Sequence, residues 1–240
     1  FHRATWETLL CFRFRTQASS ITTMMTTTDS KGLLITFEGN EGSGKSTQID
    51  LLQERLEATG RTVIKLREPG GTGLGELLRD ILKTPKDGVA IDPVAELLLM
   101  NASRAQLVRQ VIRPALDRGE VVLVDRFFDS TVVYQGYGRG LDINLVQKII
   151  DVAIGDTRPS LTFLLKVSVS VSEERRATRN SSNPASRDRF EESERAFFER
   201  IDQGYESLST SASDRIKVID ATHDIQTVHA TIWNHFETFL

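Results

Sequence analysis

The stretch Gly39-Asn40-Glu41-Gly42-Ser43-Gly44-Lys45-Ser46-Thr47 directly follows a mostly apolar run of strand length at 33–37. Behind it, Ile49, Leu52 and Leu56 recur at i, i+3 and i+7, with Leu51 beside them, the spacing of one buried helix face. A G-x-x-x-x-G-K-S segment between a strand and a helix has a defined physical use. Its glycines let backbone N–H groups converge on phosphate oxygens without interference from a Cβ. The start of the following helix adds partial positive charge. Lys45 is spaced to reach β- and γ-phosphates, and the Ser46 hydroxyl to ligate Mg²⁺. Residues 39–47 therefore imply nucleotide phosphate binding and leave the reaction open.

The rest of the chain repeats the strand–helix alternation. Further apolar runs of strand length lie at 62–66, 121–124, 161–167 and 216–219, with longer helical patterns at about 92–117 and 190–209. Near-continuous apolar strands alternating with helices predict a parallel sheet covered on both faces. The expected fold is α/β: a P-loop doubly wound five-stranded parallel sheet with helices on both faces, one domain over 32–240, carrying an Arg-rich lid at about 173–190. No internal repeat is visible.

Composition narrows the class. The chain has 240 residues, 39% hydrophobic and 26% charged, enough for a full core without metals or disulfides. A net charge of -3 and the lack of a basic stripe argue against a nucleic-acid partner. Cys11 is the single cysteine, which excludes an intramolecular disulfide and fits a reducing compartment. No run of about 18 apolar residues suggests a membrane span, so the expectation is a cytoplasmic protein with no membrane partner. The first 28 residues hold ten Ser/Thr, three Arg and one acid, Glu7, a composition resembling an organellar transit peptide. With Phe1 at the start and Met24-Met25 just ahead of the first strand, the stronger reading is upstream sequence translated in frame or a cloning remnant. Residues 1–31 are set aside as an extension, disordered or non-native.

Several residues stand where ligands bind in parallel sheets, at the carboxyl ends of strands. Glu41, a carboxylate inside a phosphate loop, is expected to turn away from the phosphates towards a hydroxyl of a second substrate. Arg67 precedes Glu68-Pro69-Gly70-Gly71-Thr72, a forced turn, and is a candidate phosphate clamp. Asp125 closes the third apolar run and suits Mg²⁺ or its water, while adjacent Arg126 suits bidentate phosphate binding. If helical, Thr131 and Gln135 share a face and offer both donors and acceptors to a nucleobase edge. Residues 173–200 hold seven Arg and seven acids, with Arg179-Asn180-Ser181-Ser182-Asn183-Pro184-Ala185-Ser186-Arg187 expected as a flexible loop. A basic lid of this kind excludes water and offsets charge on a transferring phosphoryl group. A kinase for any of several (deoxy)nucleoside monophosphates, or a P-loop regulatory ATPase, shares much of this pattern. Glu41, Arg67 and Arg126 together favour a second, anionic substrate.

Over about 32–236 the chain resembles the thymidylate kinase (dTMP kinase) family, of the bacterial kind. The matches are co-linear: the P-loop with Glu41, Arg67-Glu68-Pro69-Gly70-Gly71-Thr72, Ser103-Arg104-Ala105-Gln106, Asp125-Arg126-Phe127-Phe128-Asp129-Ser130-Thr131 with Tyr134-Gln135-Gly136, and Asp188-Arg189-Phe190-Glu191. The resemblance implies transfer of the ATP γ-phosphoryl group to dTMP with Mg²⁺, giving dTDP and ADP, by a homodimer. It implies that Glu41 accepts from the dTMP 3′-hydroxyl, that Arg67 and Arg126 hold its phosphate, and that Arg104, Thr131 and Gln135 meet the thymine edge. Lys45 and Arg189 would stabilise the transferring group, and Ser46 and Asp125 would hold the metal. No general base is implied, because the acceptor is already an anionic oxygen. One position departs from the family pattern: Met100 stands one helical turn before Arg104, where the family usually places a Phe that stacks on the base. A thioether still packs on an aromatic face.

Overall fold

The structure is a computed structural model that describes residues 32–84, 90–182 and 194–240. The chain divides into two units, Phe1–Ser30 and Lys31–Leu240. The N-terminal extension lies outside the described residues, as does residue 183 onward of the expected lid, with Arg187 and Arg189.

The strands are β1 (Leu33–Glu38), β2 (Val63–Arg67), β3 (Val121–Asp125), β4 (Leu161–Lys166) and β5 (Ile216–Asp220), each within one or two residues of its apolar run. All four pairings are parallel and the order is β2-β3-β1-β4-β5, which places the strand before the glycine loop at the centre. Successive side chains alternate between the two faces of a strand. Ile35 and Phe37 pack with Leu123, Phe163 and Leu165 against Ile49, Leu52 and Leu56 of α1 (Lys45–Ala58) and Ile232 and Phe236 of α9 (Ile225–Phe239). Leu34, Val122 and Val124 point the other way. They meet Leu97 and Leu107 of α3 (Pro93–Leu107) and Val146 and Ile150 of α6 (Ile143–Ile154). Burial on both faces is why these strands read as unbroken apolar runs.

The remaining helices are α2 (Gly73–Lys83), α4 (Arg113–Asp117), α5 (Phe128–Thr131), α7 (Val169–Ser182) and α8 (Arg195–Ser211). Three details differ from the sequence expectation. The helical pattern at 92–117 passes through a π-helical segment, Val108–Ile112, between α3 and α4. The helix carrying Thr131 and Gln135 is α-helical only to Thr131 and π-helical over Val132–Gly138. Residues 179–182, expected as loop, continue α7. Asn and Ser cost only about half a kcal/mol each in a helix already nucleated.

The pairing register brings three ligand-suited ends into one row: Phe37 lies beside Asp125, and Asp125 beside Arg67. Each strand then opens into a turn on the same edge, so the site assembles from segments far apart in sequence.

Candidate active site

The glycine loop leaves β1 through backbone angles that side chains resist: φ is 129° at Gly39, 77° at Gly42 and 93° at Gly44. At Gly39 a Cβ would come within 2.3 Å of the Leu165 carbonyl oxygen, so the loop also needs glycine to lie against β4. Lys45 starts α1 and is buried; its Nζ donates to the carbonyls of Gly39 and Asn40 at 3.1 Å each. Burial lowers the Lys45 pKa, as does Arg126, while Asp125, Glu41 and Glu38 pull it back up. Ser43 is also buried, and Ser43 Oγ and Asn40 Oδ1 have no hydrogen-bond partner among the described residues. Ser46 and Thr47 are exposed at the open end of the loop.

Across the sheet edge, Ser46 Oγ donates to Asp125 Oδ2 at 3.2 Å. The other oxygen, Asp125 Oδ1, is buried with no partner among the described residues. One hydroxyl and one carboxylate with a spare oxygen suit a cation whose remaining ligands are phosphate and water. No cluster of three or more His, Cys, Asp or Glu able to hold a metal occurs among the described residues. Arg67 lines this same recess with Ser46 and Asp125. Its side chain is 49% exposed and pairs with Glu76 at 2.8 Å. Glu76 also accepts from Gly71 N, which holds its carboxyl below the usual range.

A second cleft takes its wall from Glu41, Glu68, Met100, Arg104, Arg126, Thr131 and Gln135, among others. Arg126 stands in left-handed backbone, φ 65°, a conformation that costs a non-glycine residue about 1 kcal/mol or more. Its Nη2 donates to Glu41 Oε1 at 3.3 Å, and its Nη1 to Ser130 Oγ at 3.1 Å and Tyr205 Oη at 3.3 Å. Arg126 therefore pairs with the loop acid and not with its neighbour Asp125. Ser130 and Tyr205 are in turn held by Glu38, which accepts from both hydroxyls and from the Phe127 and Ser130 amides. Burial and nearby Asp129 raise the Glu38 pKa.

At the far end, Arg104 is buried in α3. Its guanidinium meets Glu68 Oε2 at 2.7 Å, Asn101 Oδ1 at 2.9 Å and the Phe127 carbonyl at 3.3 Å. Burial pushes the Glu68 carboxyl up to about 7 against the pull of Arg104, and its Oε1 has no partner among the described residues. Thr131 and Gln135 are both buried at the wall. Met100 lines the cleft and also packs against the cluster of Val133, Phe197 and Phe198.

The structure thus brings Glu41, Met100, Arg104, Arg126, Thr131 and Gln135 to one cleft and Ser46, Asp125 and Arg67 to the recess beside it. Sequence reasoning passed over Glu38, Glu96, Ser172 and Tyr205. Glu38 carries the signal that picked out Asp125, an acid closing a buried strand. Glu96, Met100 and Arg104 lie at i, i+4 and i+8 of α3, one face of a helix. The start of α7 grips the loop: Ser172 Oγ donates to the Glu41 carbonyl at 2.6 Å, and Arg175 to the carbonyls of Gly42 and Ala221 at 3.2 Å each.

A glycine cradle at the centre of a parallel sheet, facing a second cleft, defines a P-loop α/β domain of the kind that handles two ligands at once. The sequence model of the family described as thymidylate kinase matches residues 37–232. A thymidylate kinase of Chlorobium luteolum is 45% identical over 204 residues, 83% of this chain and 94% of that protein. One of Deinococcus radiodurans is 45% identical, covering 85% and 96% of the two chains. The crystal structure of thymidylate kinase from Ehrlichia chaffeensis superposes with a TM-score of 0.67 at 32% identity, over 85% of this chain and 98% of that one. The chain belongs to the thymidylate kinase family.

Proposed function

We propose that this chain transfers the γ-phosphoryl group of ATP to dTMP, giving dTDP and ADP. The observation that carries the reading is Arg126, held at 3.3 Å by Glu41 in the phosphate loop and facing the second cleft. A guanidinium there can bind an acceptor phosphate bidentately next to the donor cradle. The backbone amides of 39–47 and Lys45 would hold the donor phosphates. Lys45 would leave its two carbonyl partners for the transferring oxygens as charge builds on them. Ser46 and Asp125 would hold Mg²⁺, which when bound would offset the charge of the donor phosphates. Glu41, tethered to Arg126, would accept from the sugar hydroxyl, and Arg104, Thr131 and Gln135 would face the base. Arg67, paired with Glu76 beside Ser46 and Asp125, would reach the donor side of the acceptor phosphate, and Arg189 would come from the lid. Met100 would pack on the base in place of an aromatic ring. Because the attacking oxygen is already anionic, positioning and electrostatics suffice.

We also propose a homodimer. Leu74, Leu77 and Ile81 of α2, and Val94 and Leu98 of the adjoining α3, are exposed together, an apolar face of the kind that subunit contacts cover. No helix among the described residues is long and apolar enough to cross a membrane. We propose a cytoplasmic location, with organellar import by the N-terminal extension as the alternative.

The test is coupled ADP release with Mg·ATP across dTMP, dUMP, dCMP, dGMP, AMP and thymidine. Strong preference for dTMP is expected. Slow release that no acceptor accelerates would leave an ATPase instead.

A further inference from the structure

The cleft wall at Gln135 has a chemical polarity that can be read from what lies behind it. A primary amide has two faces: N–H₂ donates and the carbonyl accepts, and the side chain can flip between them. Gln135 Nε2 donates to Glu96 Oε1 at 2.7 Å. Glu96 is fully buried in α3 and also takes Arg139, from the end of the π-helical segment, at 3.2 Å on Oε2 and 3.3 Å on Oε1. A carboxylate paired with a guanidinium offers only acceptors. It can hold the amide of Gln135 by its nitrogen and not by its oxygen. That leaves Oε1 of Gln135 for the cleft, and none of the hydrogen bonds among the described residues involves that oxygen.

We propose that Glu96 is a positioning residue that sets base specificity. By fixing the Gln135 amide it makes this wall a hydrogen-bond acceptor. Such a wall favours a pyrimidine whose ring N3 carries a hydrogen, thymine or uracil. It rejects cytosine, whose N3 presents a lone pair to the Gln135 carbonyl. Burial sharpens the choice, because an unpaired buried acceptor facing another acceptor has no water to turn to. The inference rests on the proposed reading that Gln135 meets the base edge. It does not discriminate thymine from uracil, which share the N3–H.

The experiment measures kcat/KM for dTMP, dUMP and dCMP with Mg·ATP in the full chain. In Glu96→Gln the replacement amide can hold Gln135 either way round. The dTMP:dCMP ratio is expected to fall at least ~10-fold, mainly through KM for dTMP, with the dTMP:dUMP ratio unchanged. A purely structural role would lower all three alike and leave the ratios intact, and that result overturns the proposal. The double variant Glu96→Gln/Arg139→Gln also removes the guanidinium that has lost its carboxylate partner and should show the same fall. N3-methyl-dTMP probes the wild-type protein independently of any variant's folding. It should be at least ~10-fold poorer than dTMP, and equal use of the two would overturn the proposal. Gln135→Ala separates the two levels. If it leaves the dTMP:dCMP ratio as in wild type, Gln135 does not meet the base and the underlying reading fails. If it collapses the ratio while Glu96→Gln does not, only the role of Glu96 fails.

Discussion

The glycine cradle and the cleft beside it share a border at Glu41 and Arg126 but are made of opposite materials. The cradle is one contiguous stretch, 39–47, shaped by left-handed glycines and completed by a lysine that rests on the loop's own carbonyls. The cleft gathers Glu68, Met100, Arg104, Arg126, Thr131 and Gln135 from separate elements. Its polar members are held by partners, all but Glu41 buried: Arg104 by Glu68, Gln135 by Glu96, and Arg126 by Glu41, Ser130 and Tyr205. A site made of backbone tolerates change in most side chains and fails where a Cβ intrudes. A site made of buried charged side chains fails when any partner is removed, since the survivor is left desolvated and unpaired.

This contrast can be broken most directly at Lys45. Lys45→Ala should lower turnover at least ~10²-fold with every acceptor, because the loss falls on the transferring group. A loss confined to one acceptor would show that Lys45 belongs to the cleft as much as to the cradle. Arg126→Ala should cost ~10²-fold in kcat/KM, with much of the loss in KM for dTMP and ATP affinity nearly unchanged. Steady-state kinetics with each substrate varied in turn separate the two residues. Equal weakening of ATP would merge the two sites.

The smallest effect concerns stability. Burial raises Glu68 in the folded protein from its ordinary 4.5 to about 7. The folded state then binds that proton more tightly than the unfolded state. Its contribution to stability is greatest below about 4.5 and is lost as pH rises to about 7. Glu68→Gln lacks this slope, so the Tm of wild type relative to the variant should fall across that window and level off above it. Parallel Tm curves from pH 4.5 to 8 would show that Arg104 keeps the carboxylate charged throughout.

The two regions also differed in how openly the sequence displayed them. The cradle was legible because its geometry is local: glycine spacing, the lysine and the flanking periodicities fix it without reference to the rest of the chain. The five strands were legible for a related reason, since burial on both faces writes an unbroken apolar run. Strand order was not, because β1 pairs with β3 and β4 through contacts that leave no mark on either neighbour's sequence. In the cleft, the residues that line its wall were visible as polar groups at strand ends and on one helix face. Those standing behind them were hidden. Glu96 looked like any acid in a helix, and Tyr205 comes from a helix far along the chain to reach Glu38 at 3.1 Å. The π-helical turn at Val132–Gly138 packs against α8 and α6 and holds Gly136 and Gly138, but no local spacing marked it as π-helical in advance. Arg126 shows the reverse case, since a left-handed arginine is the last residue that propensity would place there.

The grip of α7 on the back of the glycine loop has a thermodynamic corollary. Ser172 and Arg175 occupy the carbonyls of Glu41 and Gly42, so a phosphate held by the loop amides, as proposed, and the helix seated on those carbonyls would stabilise one and the same loop conformation. Coupling of that kind is reciprocal. Whatever free energy a bound nucleotide gains from α7 being docked, the docking of α7 gains in equal measure from the nucleotide.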